Sequence, residues 1–245
     1  MSDPARKRKP IVLVHGSWHG GWCWRHVAGT LRARGHDVFA PTLTGLGERA
    51  HLLTRDVSLE TFFADVIGVI EAEELRDVAL VGHSFGGLVA TGVADRIASR
   101  LSRLALLDGV LLEPGEALAD IAPAGAWARR VELAQRFSGG LTVPPPAPAA
   151  FGVFDPAQAA WLERRLTPHP FRTMCEPLRL SAPVGAGLPK TYVASTKPDY
   201  PFLATCRARA KADPGWDWRE IATGHDAMVS APEATAALIA ELAEG

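Results

Sequence analysis

A serine between glycines is the first candidate for chemistry in this chain. Residues 82–86, Gly-His-Ser-Phe-Gly, fit the pattern G-x-S-x-G and lie between two apolar runs that predict a buried strand and a helix. Small flanking residues are needed in such a turn because the two elements approach closely. The hydroxyl of Ser84 is then held out at the carboxyl end of the sheet, beside the amino terminus of a helix. The pattern therefore indicates a nucleophile, and the alternative is a glycine-rich turn that happens to contain serine.

A nucleophilic serine needs a base, and the chain has eight histidines. His225, in the segment IATGHDAMVSAP, follows the last predicted strand, so its loop should lie at the same end of the sheet as Ser84. The chain order of serine before histidine also agrees with this arrangement. His83 adjoins Ser84, and its side chain is expected to point elsewhere at so tight a turn. The sequence therefore favours His225 as the base.

The elements that would position these residues follow an alternating pattern. Short apolar runs alternate with longer amphipathic ones, which predicts an α/β fold with a largely parallel sheet. The runs are nearly continuous, as expected of strands that are buried on both faces. Strands are predicted over residues 11–15, 37–40, 78–81, 103–107, 191–194 and 218–221. Helices are predicted over residues 24–34, 59–73, 85–97 and 231–243, the last with a capping box that starts at Ser230.

The region from residue 111 to 184 interrupts this alternation. It is rich in proline, alanine and glycine, it has short helical patches at 126–137 and 158–166, and it falls between two predicted strands. It also carries six large aromatic residues: Trp127, Phe137, Phe151, Phe154, Trp161 and Phe171. A segment of this length and composition is expected to be a lid over an apolar pocket rather than a plain surface loop. The predicted organisation is a flexible tail at 1–9, a core at 10–110 and 185–245, and a lid at 111–184.

Composition and charge narrow the class of protein. The chain has 245 residues, of which 47% are hydrophobic and 22% charged, so a sizeable core is expected. The net charge is −1, and no basic cluster lies beyond the first nine residues, which argues against nucleic acid or a membrane surface as partner. The apolar run at 10–14 is too short for a signal-peptide core or a membrane span.

The cysteines and histidines give no sign of a disulfide framework or a metal site. Cys23, Cys175 and Cys206 are odd in number and widely spaced, which favours a reducing cytoplasm. The segment HGSWHGGWCWRH contains three histidines and a cysteine, and their spacing matches no familiar zinc pattern. Neither a metal nor an organic cofactor is expected.

Three motifs resemble one known family. The segments VLVHGSWHGGWCW near the start, GHSFGG in the middle and GHDAM near the end are similar to the α/β-hydrolase superfamily. The paired patterns HGxWHGxWCW and HxAM narrow the resemblance to the branch of plant methylesterases, hydroxynitrile lyases and their bacterial esterase relatives. The resemblance spans essentially the whole chain and is weak in 111–184. It implies the α/β-hydrolase fold, with a mostly parallel central sheet flanked by helices and an inserted lid.

The resemblance implies roles for individual residues. Ser84 would be the nucleophile and His225 the general base. The backbone N–H groups of Ser17 and Phe85 would form the oxyanion hole, which stabilises negative charge on the reacting carbonyl oxygen. Further residues are expected to line the substrate pocket: His15, Gly16, Trp18, His83, Trp127 and Met228.

The acid of the triad has two candidates. The branch usually takes it after the strand predicted at 191–194, where Asp199 lies directly after a proline. Other α/β-hydrolases take it one strand earlier, where Asp108 ends a buried strand. A carboxylate at that place must be hydrogen-bonded or paired, and a histidine would serve. The alternatives are a turn cap for Asp108 and an exposed loop for Asp199, and the choice stays open. Asp226 is too near His225 in sequence to orient its ring.

The resemblance also separates two reactions. Hydroxynitrile lyases of this branch carry a lysine after the catalytic histidine and a threonine after the first motif's histidine, where this chain has Asp226 and Gly16. Without the lysine, no cation stabilises departing cyanide. The prediction is therefore a carboxylesterase that cleaves small, largely apolar esters through an acyl-enzyme, as a monomer or homodimer in the cytoplasm. A non-catalytic receptor that uses the same pocket, and hydrolysis of an amide, lactone or carbon–carbon bond, remain open alternatives.

Overall fold

A six-stranded sheet forms the centre of the computed structural model, which describes residues 8–245. The strands are β1 (Ile11–Val14), β2 (Val38–Phe39), β3 (Val78–His83), β4 (Leu101–Leu107), β5 (Thr142–Val143), β6 (His169–Pro170), β7 (Lys190–Ser195) and β8 (Trp216–Ile221). The order in the central sheet is β2-β1-β3-β4-β7-β8, and all its pairings are parallel. Strands β5 and β6 form a separate antiparallel pair. The predicted parallel sheet is confirmed, and each of its six strands differs from its predicted bounds by at most two residues at either end.

Ten α-helices accompany the sheet within the described residues. They are α1 (Arg25–Ala33), α2 (Leu59–Ala72), α3 (Phe85–Ile97), α4 (Leu118–Ile121), α5 (Ala124–Ser138), α6 (Pro156–Glu163), α7 (Phe171–Cys175), α8 (Ala204–Ala212), α9 (Ala227–Ser230) and α10 (Pro232–Glu244). The predicted capping box before α10 does not form, because Ser230 ends α9 and its hydroxyl donates to the carbonyl of Asp226. Among residues 8–245, no helix has the length and apolar character needed to cross a membrane.

The topology gathers several loops at one edge of the sheet. From β1 the chain moves outward to β2 and then returns to β3 on the other side of β1, which opens a crevice at the carboxyl ends of the strands. Strands β1 and β3 are buried along their whole length, and the residues that follow their carboxyl ends lie at this edge. The residues that follow β1, β3, β4 and β8 therefore meet there.

Close approach between β1 and α3 depends on Gly86. A Cβ atom at this position would lie 2.5 Å from the carbonyl oxygen of Val14 and 2.6 Å from that of His15. The absence of a side chain thus lets the start of α3 rest directly on the end of β1. This contact brings the turn after β1 next to the turn before α3.

The segment 111–184 lies against the loops at the same edge. The indole N–H of Trp18, after β1, donates to the carbonyl of Val143 at 3.0 Å, and Thr167 N–H donates to Trp18 O at 2.9 Å. Near β8, Asp226 N–H donates to Phe151 O at 3.0 Å. The division into tail, core and lid stays a prediction, and residues 1–7 of the predicted tail lie outside the described residues.

Candidate active site

Ser84 occupies the sharp turn between β3 and α3. Its φ of +52° is in the left-handed region, which is strained for a residue with a side chain. Gly16 packs directly against it, since a Cβ on Gly16 would lie 2.7 Å from Ser84 Cβ and 3.3 Å from its Oγ. The backbone therefore holds the hydroxyl in one place at the carboxyl edge of the sheet.

Two hydrogen bonds connect Ser84 with a histidine and an aspartate. His225 Nε2 lies 2.9 Å from Ser84 Oγ, and His225 Nδ1 lies 2.6 Å from Asp108 Oδ2. Asp108 follows β4 directly and is completely buried. Because the carboxylate can only accept, Nδ1 carries the proton and Nε2 is free to accept from the serine.

Asp199, the other candidate acid, lies elsewhere. Its side chain is 63% exposed and pairs with Arg207. The structure thus places Asp108, rather than Asp199, against the ring of His225.

Arg207 also holds the carboxylate of Asp108. Its Nε and Nη2 donate to Oδ1 at 2.9 and 2.8 Å, and Nη2 donates to Oδ2 at 3.0 Å. Ser195 N–H adds a longer hydrogen bond to Oδ1 at 3.4 Å. Burial alone would raise the pKa of Asp108, but the contacts with His225 and Arg207 hold that pKa below its usual value. The carboxylate is therefore kept ionised and fixed in orientation.

Two backbone N–H groups border the serine. Ser17 follows the end of β1, and Phe85 is the first residue of α3. Within residues 8–245, no backbone hydrogen bond uses the N–H of either residue. Trp18, directly after Ser17, adopts a left-handed φ of +67°. Both donors are available to a ligand oxygen.

A buried ion pair connects the turn after β1 with the loop that carries His225. His19 Nδ1 lies 2.8 Å from Ser17 O, and His19 Nε2 lies 3.0 Å from Asp226 Oδ2. Since both neighbours only accept, both nitrogens must carry protons and the ring is an imidazolium. Burial opposes this charge, but Asp226 outweighs it and raises the pKa of His19. Spacing alone did not reveal this pair.

His15 and His83 are buried neutral groups. His15 Nδ1 donates to Gly16 O at 2.9 Å, and its Nε2 accepts from Leu43 N–H at 3.0 Å. His83 Nε2 donates to the backbone carbonyl of His225 at 2.9 Å. Burial lowers the pKa of each ring to about 3. They shape the loops around Ser84 while remaining uncharged.

Aromatic rings surround His225. Tyr200 stacks on it with ring centroids 4.0 Å apart, and Phe151 stacks at 6.3 Å. On the side of the serine, the ring of His169 lies 4.7 Å from that of Phe85. Phe151 is predicted from the sequence only as a lid aromatic, and neither Tyr200 nor His169 is predicted to lie at the site. Nothing in their spacing distinguishes them from core residues.

Two further residues, Trp127 and Met228, are predicted to line the pocket. Trp127, on α5, stacks on Phe171 with ring centroids 5.6 Å apart. Met228, on α9, is completely buried. For both, a role in the pocket stays a prediction.

One cluster has the spacing of metal ligands. Ligand atoms of His83, His225 and Asp226 lie within 4.8 Å of one another. Both nitrogens of His225 already hydrogen-bond Ser84 and Asp108, and one oxygen of Asp226 bonds His19. An ion at this place would have to break those bonds, so the arrangement favours a hydrogen-bonded site.

The fold and this edge of the sheet define a class of protein. A family model described as "Alpha/beta hydrolase family" matches residues 11–238, and the chain belongs to that family. The predicted α/β-hydrolase fold is confirmed.

Similar proteins narrow the class. The carbendazim hydrolyzing esterase of Nocardioides sp. (strain SG-4G) is 41% identical over 243 residues, which cover 95% of this chain and 98% of that protein. Methylesterase 9 of Arabidopsis thaliana is 39% identical over 95 residues, which cover 38% of this chain and 37% of that protein. A solved structure described as an extracellular α/β-hydrolase from a Paenibacillus species has a TM-score of 0.83 and 26% identity, and covers 95% of this chain and 98% of its own. These relatives confirm the predicted resemblance and the enzyme class, a carboxylesterase-type α/β-hydrolase.

Proposed function

We propose that this enzyme hydrolyses carboxylic esters of small, largely apolar substrates through an acyl-enzyme formed on Ser84. The observation that carries the proposal is the continuous hydrogen-bond chain from Ser84 Oγ through His225 to Asp108. A serine hydroxyl beside a histidine whose other nitrogen is held by a carboxylate is the arrangement that activates serine as a nucleophile.

Each step of the proposed reaction uses a group at this site. Ser84 Oγ attacks the ester carbonyl carbon as its proton passes to His225 Nε2. The carbonyl oxygen becomes an oxyanion, which accepts hydrogen bonds from the N–H groups of Ser17 and Phe85. The proton on Nε2 then passes to the leaving alcohol as the C–O bond breaks. Water, deprotonated by the same nitrogen, attacks the acyl-enzyme and releases the acid.

Asp108 is the acid in this proposal, because its carboxylate meets His225 and that of Asp199 does not. It fixes the tautomer of the ring and stabilises the imidazolium formed during each proton transfer. Ser17 and Phe85 are proposed as the oxyanion donors because their N–H groups make no backbone hydrogen bond within residues 8–245. Loss of one such donor typically lowers the rate by about 10²–10³.

Apolar substrates and a lid are proposed from the surroundings of the site. Phe151 and Tyr200 supply aromatic surface beside His225, and Trp18 packs against Phe151. Phe151 comes from the segment 111–184, whose hydrogen bonds to Trp18 and Asp226 support its role as a lid. The nearly full-length relative named for carbendazim hydrolysis supports a small aromatic substrate. We also propose a cytoplasmic location, since the three cysteines are free.

Hydrolysis of p-nitrophenyl acetate and butyrate tests the proposal. Wild type should release p-nitrophenol, and Ser84→Ala should abolish release while circular dichroism shows an unchanged fold. Ser102→Ala, at a serine whose hydroxyl bonds only the carbonyl of Asp77, is the matched control and should keep full activity. Full activity in Ser84→Ala would contradict the proposal. Ligand binding without turnover in wild type would favour a receptor.

A further inference from the structure

Arg130 is a partly buried cation without an acidic partner. It lies on α5, and its guanidinium carbon is 3.9 Å from the ring centroid of Phe202 and 5.4 Å from that of Trp18. None of the ion pairs among residues 8–245 includes it. Its side chain is therefore held between two aromatic rings with no carboxylate beside it.

Arg207 differs from Arg130, because it is a partly buried arginine whose charge is neutralised by carboxylates of the protein. That side chain is 12% exposed and is paired with both Asp108 and Asp199. Arg130 has no such pairing: cation–π contacts act on the face of its guanidinium, and the hydrogen-bond partner at its edge is the uncharged hydroxyl of Tyr200. A buried, unpaired cation is costly, as shown by the burial that lowers the pKa of Arg130.

The position of Arg130 joins it to the candidate active site. Trp18 directly follows Ser17, a proposed oxyanion donor. On the other side, Phe202 lies 6.2 Å from Tyr200, which stacks on His225 at 4.0 Å. The guanidinium thus lies between the oxyanion turn and the aromatic residues that cover the base. A ligand bound at Ser84 and extending past these rings would meet it.

We propose that Arg130 binds a carboxylate on the substrate, so that the preferred substrates are aromatic half-esters, in which one carboxyl group is esterified and another is free. This inference rests on the proposed ester hydrolysis. A guanidinium presents a planar fork of donors that matches a carboxylate, and the aromatic walls suit the ring that joins the two groups. The free carboxylate would supply the anionic partner that residues 8–245 do not.

Matched substrates and variants test this assignment. Monomethyl terephthalate and monomethyl isophthalate each have one free carboxylate, and the methyl toluates replace it by a methyl group. Wild type should prefer the better half-ester over its toluate by about 10- to 100-fold in kcat/KM, as for a charge-assisted hydrogen bond of ~1.5–3 kcal/mol. Most of that preference should appear in KM. Arg130→Gln should abolish the preference, and Arg130→Lys should restore part of it because the charge remains.

Arg129→Gln is the matched control, since it makes the same change at the exposed neighbouring residue. It should leave the preference unchanged. No preference in wild type, or an equal preference in Arg130→Gln, would overturn the inference.

Binding to the Ser84→Ala variant separates this inference from the proposed function. Calorimetry should detect monomethyl terephthalate or isophthalate bound to Ser84→Ala, and binding at least about tenfold weaker in Ser84→Ala/Arg130→Gln. If wild type cleaves toluates and half-esters alike, and half-ester affinity is the same with and without Arg130→Gln, ester hydrolysis stands and the inference fails. If wild type cleaves neither but binding depends on Arg130, the anion site stands and the proposed function fails.

Discussion

Asp108→Asn tests the role of the acid through the geometry around its two oxygens. Oδ1 accepts from three donors, Arg207 Nε, Arg207 Nη2 and Ser195 N–H, whereas Oδ2 accepts from two, His225 Nδ1 at 2.6 Å and Arg207 Nη2 at 3.0 Å. In the variant, the amide oxygen should keep the place of Oδ1, because an amide nitrogen there would face several donors. The amide NH₂ then takes the place of Oδ2 and donates to Nδ1.

That orientation forces the wrong tautomer on His225. With Nδ1 accepting, the proton must lie on Nε2, which can no longer accept from Ser84. We expect kcat/KM to fall by about 10⁴, as for the same change in other serine triads, or about 5.5 kcal/mol of transition-state stabilisation. Hydrolysis of p-nitrophenyl butyrate measures it. Asp199→Asn, at a carboxylate that is 63% exposed, should stay within about fivefold of wild type.

Arg207 supplies a test of the tautomer itself. In Asp108→Asn/Arg207→Met, the amide is free to turn its oxygen towards Nδ1, so activity should rise about tenfold or more above Asp108→Asn. Arg207→Met alone gives the baseline. Near-wild-type activity in Asp108→Asn, or an equal loss in Asp199→Asn, would refute the assignment of the acid. A double variant no more active than Asp108→Asn would refute the tautomer argument.

Three further predictions concern stability and the serine turn. Asp226→Asn should lower the free energy of unfolding at pH 6 by ~3–5 kcal/mol because it leaves His19 buried without its anion; the loss should shrink as pH rises through the elevated pKa of His19, as urea titrations can show. His15 and His83 have folded pKa values of about 3, so they stabilise the fold above pH 6.5 and lose that effect as pH falls; between pH 7 and pH 5 these two rings should lower the free energy of unfolding by about 4 kcal/mol, and urea denaturation at the two pH values should show the decrease. Gly86→Ala should cost ~1–3 kcal/mol in stability and reduce turnover, because its Cβ would overlap carbonyl oxygens of β1.

Each of these predictions has its own control or contrary result. Asp56→Asn, at an exposed aspartate, should leave stability within about 0.5 kcal/mol of wild type. Equal urea midpoints at pH 5 and pH 7 would show that the buried histidines are not held neutral. Gly68→Ala, on α2, meets nothing within 4 Å and should be neutral or slightly stabilising. A Gly86→Ala variant as stable and active as Gly68→Ala would contradict the close contact.

Much of the fold could be predicted because its strands have a strong local signal. Strands buried on both faces appear in the sequence as continuous apolar runs, and β1 and β3 consist largely of apolar residues. Ser84 and His225 could be predicted as nucleophile and base because motifs mark both of them. The start of α10 was harder, since Ser230 had a competing partner within α9 that spacing does not reveal.

The rest of the site depends on contacts between distant residues. Sequence left Asp108 and Asp199 open, because the choice depends on which carboxylate the loop after β8 reaches. The partner of His19 lies 207 residues away, at Asp226. Arg130 lies on α5, in a segment where the motifs are weak, and its spacing does not distinguish it from the other arginines of that helix.

The most direct test of the central claim is to trap the acyl-enzyme. Wild type mixed with p-nitrophenyl acetate, quenched in acid within the first turnovers and digested, should show by mass spectrometry an acetyl group on Ser84. Asp108→Asn should accumulate it far more slowly, and Ser84→Ala should not form it. An acetyl group on another residue, or steady p-nitrophenol release with no adduct in wild type, would contradict a mechanism in which Ser84 is the nucleophile.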